Sequence, residues 1–202
     1  MPSFRTAASV EKKAIATRVK GLFLRGAYSN VSDVSELARW ENLQSLNLEE
    51  TGVTDISPLA KLRLVSLNLK KTPVGSLEPI RGMTSLEGLY LSRVECDLSP
   101  VASLPNLTHL DLSFTTIPDL SLVAGLSKLV KLDLWGCTVT DLGPLAGKPI
   151  ADLSLTHMPV KPDLRPLFET PALGRLCLIG TQADDAQVAA LQAKLPDLYV
   201  SR

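Results

Sequence analysis

Aromatic residues are scarce in this 202-residue chain, at 4% of the sequence, so aliphatic side chains have to supply any core. Cysteine is scarcer still. Cys96, Cys137 and Cys177 are odd in number and widely spaced, with no CxxC pair and no zinc-ligand spacing. That argues against a disulfide framework and for three free thiols. No excess of basic charge exists, since 21 Lys and Arg balance 21 Asp and Glu, so global charge gives no support to a nucleic-acid binder. No apolar run reaches the roughly 18 residues of a membrane span. The opening MPSFRTAASVEKKAIATRVKGLFLRG has charges scattered through it and lacks the apolar stretch of a secretory signal. The expectation is therefore a cytoplasmic protein, with export by a non-classical or specialised route left open. GxGxxG, P-loop and HExxH sequences are all missing, so no cofactor is expected.

What the chain does have is a repeat. One unit reads Leu43-x-x-Leu46-x-Leu48-x-x-Thr51-x-Val53-x-x-Ile56-x-Pro58-Leu59, and the next runs from Leu64 through Leu67, Leu69, Thr72, Val74, Leu77 and Pro79 to Ile80. The frame begins at residues 19, 43, 64, 86, 107, 129, 150 and 173, giving spacings of 24, 21, 22, 21, 22, 21 and 23. Eight copies in register imply a solenoid, because one unit cannot bury its apolar row and stacked units can. In Leu-x-Leu the leucines face one side of a strand and the middle residue faces the other. The stacked strands should thus make a parallel sheet. Only about a dozen residues remain to return to the next strand, which suits turns and 3₁₀ segments and leaves no room for a long helix. Prolines at 58, 79, 100, 144 and 166 favour such short turns.

The motif L-x-x-L-x-L-x-x-[TC]-x-[VI] resembles the leucine-rich-repeat family over residues 19–181. Val53-Thr54-Asp55-Ile56-Ser57-Pro58-Leu59 and Val139-Thr140-Asp141-Leu142-Gly143-Pro144-Leu145 look like the short bacterial internalin-type unit. The resemblance implies a right-handed solenoid of α/β class, its parallel sheet on the concave face and short turns or 3₁₀ segments on the convex face. It also implies a non-enzymatic role in holding another protein against the concave side. One departure concerns the ninth position, where the family has Asn and this chain has Ala27, Thr51, Thr72, Val94, Thr115, Cys137, Met158 and Thr181. Coils with Ala, Val or Met there lack the hydrogen bond that ties one coil to the next and should be held by apolar packing. Cys137 and Cys96 occupy inward slots and are expected to be buried.

Both ends need covering. Residues 1–18 are read as an N-terminal capping segment with a short helix over 8–17, and residues 182–202 as a C-terminal cap. In the latter, Asp184 or Asp185 caps a helix whose Val188, Leu191 and Leu195 share a face, Pro196 ends it, and Leu198-Tyr199-Val200 adds an edge strand.

The outward positions form a map. Tyr90, Phe114 and Trp135 cluster on three successive coils, with His109, Asp111 and Asp133 among them and Arg93 and Lys131 at the rim. Aromatic residues and arginine dominate protein-interface hot spots, so these eight residues are the candidate protein-binding site. The alternative is that Phe114 or Trp135 folds over a neighbour and only covers the sheet. Asp111 and Asp133 on adjacent strands, with His109 nearby, could in principle hold a metal or do acid–base work, but the face is open and no third ligand is forced close. The two acids are read as awaiting a basic group on a partner. Glu49 and Glu50, followed one coil later by Lys70 and Lys71, should pair loosely across rungs. The partner expected is another protein, with no nucleic acid or membrane and a monomer when free. Alternatives are a secreted effector or toxin inhibitor that masks a partner enzyme, and a structural or homo-oligomeric scaffold joined through Leu198–Val200 or the sheet face.

Overall fold

A three-residue strand carrying leucine at its centre recurs throughout the computed structural model, which describes residues 19–25 and 30–202. The strands are β1 (Gly21–Phe23), β2 (Ser45–Asn47), β3 (Ser66–Asn68), β4 (Gly88–Tyr90), β5 (His109–Asp111), β6 (Lys131–Asp133), β7 (Asp152–Ser154), β8 (Arg175–Cys177) and β9 (Tyr199–Ser201). All nine pair in parallel and in chain order. The register places Leu22, Leu46, Leu67, Leu89, Leu110, Leu132, Leu153, Leu176 and Val200 in one row. From Leu46 to Leu176 that row is buried, together with the first- and sixth-position apolar residues of coils two to eight.

The return side is as short as the coil length requires. Coils one to seven each return through one 3₁₀ segment: Ser35–Arg39, Ser57–Leu59, Glu78–Ile80, Ser99–Ser103, Ser121–Val123, Gly143–Leu145 and Arg165–Glu169. Five of these have proline in the first turn, where its fixed φ is already that of the helix. A second device precedes each segment. The side chains of Asp33, Asp55, Ser76, Asp97, Asp119, Asp141 and Asp163 each accept the N–H two residues on. The short polar side chain thereby turns the backbone into the 3₁₀ segment.

The last coil returns differently. Helix α1 (Asp185–Lys194) follows β8, and its N-cap Asp184 accepts from the N–H groups of Ala186 and Gln187. Val188 and Leu191 are buried, so α1 covers the open end of the core, and β9 completes the sheet. The helix expected over 8–17, and Gly26, Ala27 and Tyr28 of the first loop, lie outside the described residues.

Two expectations need correction. The ninth-position threonines donate within their own coil. Thr51, Thr72, Thr115 and Thr181 donate to the carbonyls of Leu48, Leu69, Leu112 and Leu178, three residues earlier in the same coil. A threonine hydroxyl on so short a stem closes its own turn, whereas the Cys137 thiol crosses to the preceding coil, to the Leu112 carbonyl at 3.1 Å. Coils with Val94 or Met158 therefore lose only an internal bond, because the backbone ladder runs through every coil. The second correction concerns Cys96, which is only partly buried. Two residues separate Val94 from Asp97 where three separate Thr51 from Asp55. The shortened loop leaves Cys96 between the inward slot and the turn.

Candidate protein-binding face

The ladder does not stop at the strands. The N–H of each eighth residue donates to the seventh-position carbonyl of the following coil: Glu50 to Lys70, Lys71 to Ser92, Arg93 to Ser113, Phe114 to Trp135, Gly136 to Thr156 and His157 to Ile179. The ninth N–H then turns back to the sixth carbonyl, as from Thr51 to Leu48 and Thr115 to Leu112. Such a turn, bonded on both sides, forces φ positive at its third residue, a conformation suited to glycine. Gly136 and Gly180 meet that need, at φ +70° and +67°. Glu50, Lys71, Arg93, Phe114 and His157 adopt it with full side chains, at φ between 49° and 60°. Positive φ is uncommon outside glycine, and five instances in one row hold five side chains at the strand ends, along the solenoid axis.

Within that row the planar groups stack. The Arg93 guanidinium lies 4.4 Å from the Phe114 ring centroid. Phe114 and Trp135 stand 5.1 Å apart and tilted, and Trp135 and His157 follow at 6.1 Å. The glycines make this possible. A Cβ on Gly136 would sit 2.8 Å from Phe114 Cδ1, and one on Gly180 would sit 2.1 Å from His157 Nδ1. Phe114 and Trp135 remain 39% and 41% exposed, and Arg93 and His157 are exposed too. The rings therefore cover their neighbours and still present surface.

The other candidates separate into distinct groups. Tyr90 lies over Gly88, whose missing side chain leaves room for the ring, and Lys70 stands 5.4 Å above it. Lys70 continues across coil four to Asp111 Oδ2 at 2.5 Å. Asp111 is 7% exposed, and its Oδ1 accepts both the N–H and the hydroxyl of Ser113. Its charge is answered within the chain, by a lysine two coils away and not by the adjacent rung. Asp133 Oδ1 accepts the Trp135 N–H at 3.0 Å, repeating a strand-closing turn also made by Asn47 and Asn68. Lys131 pairs with Asp152 at 3.1 Å, and His109 Nδ1 sits 2.8 Å from the Thr108 hydroxyl. Glu50 pairs with Lys71 and Glu49 with Arg25. Hydrogen bonding from Lys71 and then its charge hold the Glu50 carboxyl below its ordinary value. Among the described residues no group of three His, Cys, Asp or Glu converges as a metal site would, and no helix is long and apolar enough to cross a membrane.

His157 completes the row and was not among the eight candidates. Its signal in the sequence was its place at the same eighth position as Arg93 and Phe114. Of the cysteines, Cys137 is buried, which raises its thiol. Cys177 on β8 is partly buried, which by itself raises the thiol, but hydrogen bonds with Ser201, Thr156 and the Ile179 backbone together hold it below its ordinary value.

Comparison with known proteins agrees with this architecture. The leucine-rich-repeat family profile, in its two-copy form, matches residues 105–147. A search of curated proteins finds no match. Among solved structures, internalin C2 of Listeria monocytogenes is 28% identical, with a TM-score of 0.76 over 94% of this chain and 83% of the other. Internalin F of the same organism is 22% identical, with a TM-score of 0.73 over 94% of this chain and 62% of the other. The plant peptide hormone receptor RGFR1, solved in complex with RGF2, is 16% identical, with a TM-score of 0.58 over 84% of this chain and 33% of the receptor. The fold is one commonly used for protein interaction. By its frame, its sheet and these likenesses, the chain has the leucine-rich-repeat fold, with short coils similar to those of the internalins.

Proposed function

We propose that this chain is a non-enzymatic protein-binding module whose contact surface is the sheet side, centred on the row Arg93, Phe114, Trp135 and His157. One observation carries the reading: three of these four residues hold large side chains at positive φ, where glycine would be less strained. An arrangement that keeps exposed rings at the expense of backbone strain is the kind found at functional sites. Exposed aromatic and arginine side chains are also the groups that dominate interface energy. The use of a similar fold by a plant hormone receptor in complex with RGF2 is consistent with this role. Tyr90 and the Lys70–Asp111 pair flank the row as a rigid, charge-compensated surface, and Lys131, His109 and Asp133 border it.

The test is chemical crosslinking of the native protein and a Phe114→Ala/Trp135→Ala variant in cells of its source, with crosslinked species identified by mass. Loss of specific adducts in the variant, with the circular-dichroism spectrum unchanged, is the expected result. The same adducts at the same yield from both forms would remove the row from the interface. Light scattering of the native protein over a concentration series checks the monomeric state, and a dimer lost in the double variant would favour the homo-oligomeric alternative.

A further inference from the structure

The row carries information about what it contacts. Indole N–H and guanidinium groups only donate hydrogen bonds. Among the described residues Trp135 Nε1 has no acceptor, and Arg93 has no carboxylate, its contact being the face of Phe114. Of the neighbouring carboxylates, Asp111 is engaged by Lys70 and Ser113, and Asp133 has Oδ1 on the backbone N–H of Trp135 and, among the described residues, no cation beside it. The exposed row thus combines flat ring faces with the Trp135 indole and Arg93 guanidinium donors and a positive charge at the Arg93 end. A matching ligand would offer apolar rings, acceptor oxygens without competing N–H groups, and a negative charge at one end.

Spacing narrows the choice. Consecutive coils are separated by about 4.8 Å at the strands, so Phe114 and His157, two coils apart, are about 9.6 Å apart along the axis. A polyproline II segment rises about 3.1 Å per residue with three residues per turn, so equivalent side chains recur every 9.3 Å or so. One turn of it therefore matches two coils. A β-strand laid along the same axis would repeat each face about every 6.7 Å, matching neither one coil nor two. Proline also has no N–H, and polyproline II leaves its carbonyls free of internal bonds.

Resting on the binding reading above, we infer that the row receives a proline-rich segment in the polyproline II conformation, running along the solenoid axis, with an acidic residue at the end over Arg93. Prolines three apart pack on Phe114 and His157 on either side of Trp135, the indole N–H donates to a carbonyl between them, and the carboxylate meets the guanidinium.

Three synthetic peptides test this. One has a glutamate followed by nine prolines, one a lysine followed by nine prolines, and one a glutamate followed by nine alternating glycines and serines. The chain has two tryptophans, Trp40 and Trp135, so a Trp40→Phe background makes Trp135 the sole reporter. The glutamate–proline peptide is expected to give a saturable change in Trp135 emission, and the glycine–serine peptide to bind about tenfold more weakly or less. Phe114→Ala should weaken the first peptide by a similar factor, and Arg93→Ala should abolish the preference for glutamate over lysine. Circular dichroism checks that each variant is folded. Equal binding of the proline and glycine–serine peptides, or no response to any, overturns the inference. A response produced by the protein's own concentration assigns the row to a second copy and overturns it too. If the peptides fail while crosslinks remain dependent on Phe114 and Trp135, only the segment chemistry is wrong. If the crosslinks also fail to depend on them, the binding reading falls with it.

Discussion

A glycine fits the eighth position without strain, as Gly136 and Gly180 do, yet Glu50, Lys71, Arg93, Phe114 and His157 stand there in the other described coils. Left-handed backbone costs a non-glycine residue on the order of 1–2 kcal/mol, while a cation over an exposed ring returns only about 0.5–1 kcal/mol. The two terms make an unusual prediction at Arg93. Arg93→Ala loses the ring contact and keeps the strain, whereas Arg93→Gly loses the contact and relieves it. The glycine variant should therefore be the more stable by about 1 kcal/mol in urea unfolding, although glycine is ordinarily the weaker of the two within regular structure. The opposite order would show that the turn carries no strain. At Gly136 the sign reverses. Gly136→Ala puts a Cβ 2.8 Å from Phe114 Cδ1 at φ +70°, so stability should fall by on the order of 1–2 kcal/mol and Trp135 emission should change as the ring moves. None of this was legible in composition. The cluster of aromatics was, but the strain that marks the row appears only when the ladder fixes φ.

Every coil but the third, which uses Ser76, is closed at its return by an aspartate, and this gives the array a pH dependence. Asp163 is held down at about 2, by the Arg165 side chain first and then its backbone N–H. Asp97 is lowered by the Ser99 N–H and hydroxyl, Asp119 by the Ser121 hydroxyl and N–H, and Asp184 by Lys161 and then the N–H groups of Gln187 and Ala186. A carboxyl whose folded pKa lies below its unfolded value, about 3.9, contributes stability that is full above the unfolded value and is lost as pH falls through the folded one. The urea midpoint should accordingly hold steady down to about pH 4 and fall between there and about pH 2. An Asp97→Asn/Asp119→Asn/Asp163→Asn variant should show a shallower acid limb than the native protein, and an unchanged limb would assign the acid sensitivity elsewhere. The repeat frame itself was plain in the sequence, since leucine at fixed spacing records burial directly. The acidic turn lay inside the quoted Val53–Leu59 motif, but its work depends on where one oxygen points. Coil four shows the limit most clearly. One residue fewer before Asp97 leaves the frame readable and yet moves Cys96 partly out of the core.

For the molecule as a whole, the decisive property is that strands pack only on their neighbours in chain order, so stability is a chain of nearest-neighbour terms. That also explains why the candidate site was only half readable. Sequence reasoning pairs adjacent rungs, and it placed Glu49 and Glu50 against Lys70 and Lys71. It did not foresee that Lys70 would pass over the Tyr90 ring to Asp111, two coils on. The same one-dimensional logic says what damage at one end will do. Leu191 of α1 is fully buried against the end of the core, and truncating such a side chain costs about 2–5 kcal/mol. In a globular domain that loss would be shared by every residue. Here it should fall on the coils nearest the cap, because opening β8 and β9 breaks no contact of β4 or β5. Hydrogen exchange of Leu191→Ala should therefore quicken first at the amides of Leu178 and Tyr199, which bond to Ser201 and Gly174. The amides of Leu91 and Phe114, bonded to Asp111 and Trp135, should keep most of their protection. Partner crosslinks through the Arg93–His157 row should weaken, if at all, from the His157 end inward. Uniform acceleration across all coils would mean that the array opens as one unit and that the cap stabilises the binding row directly.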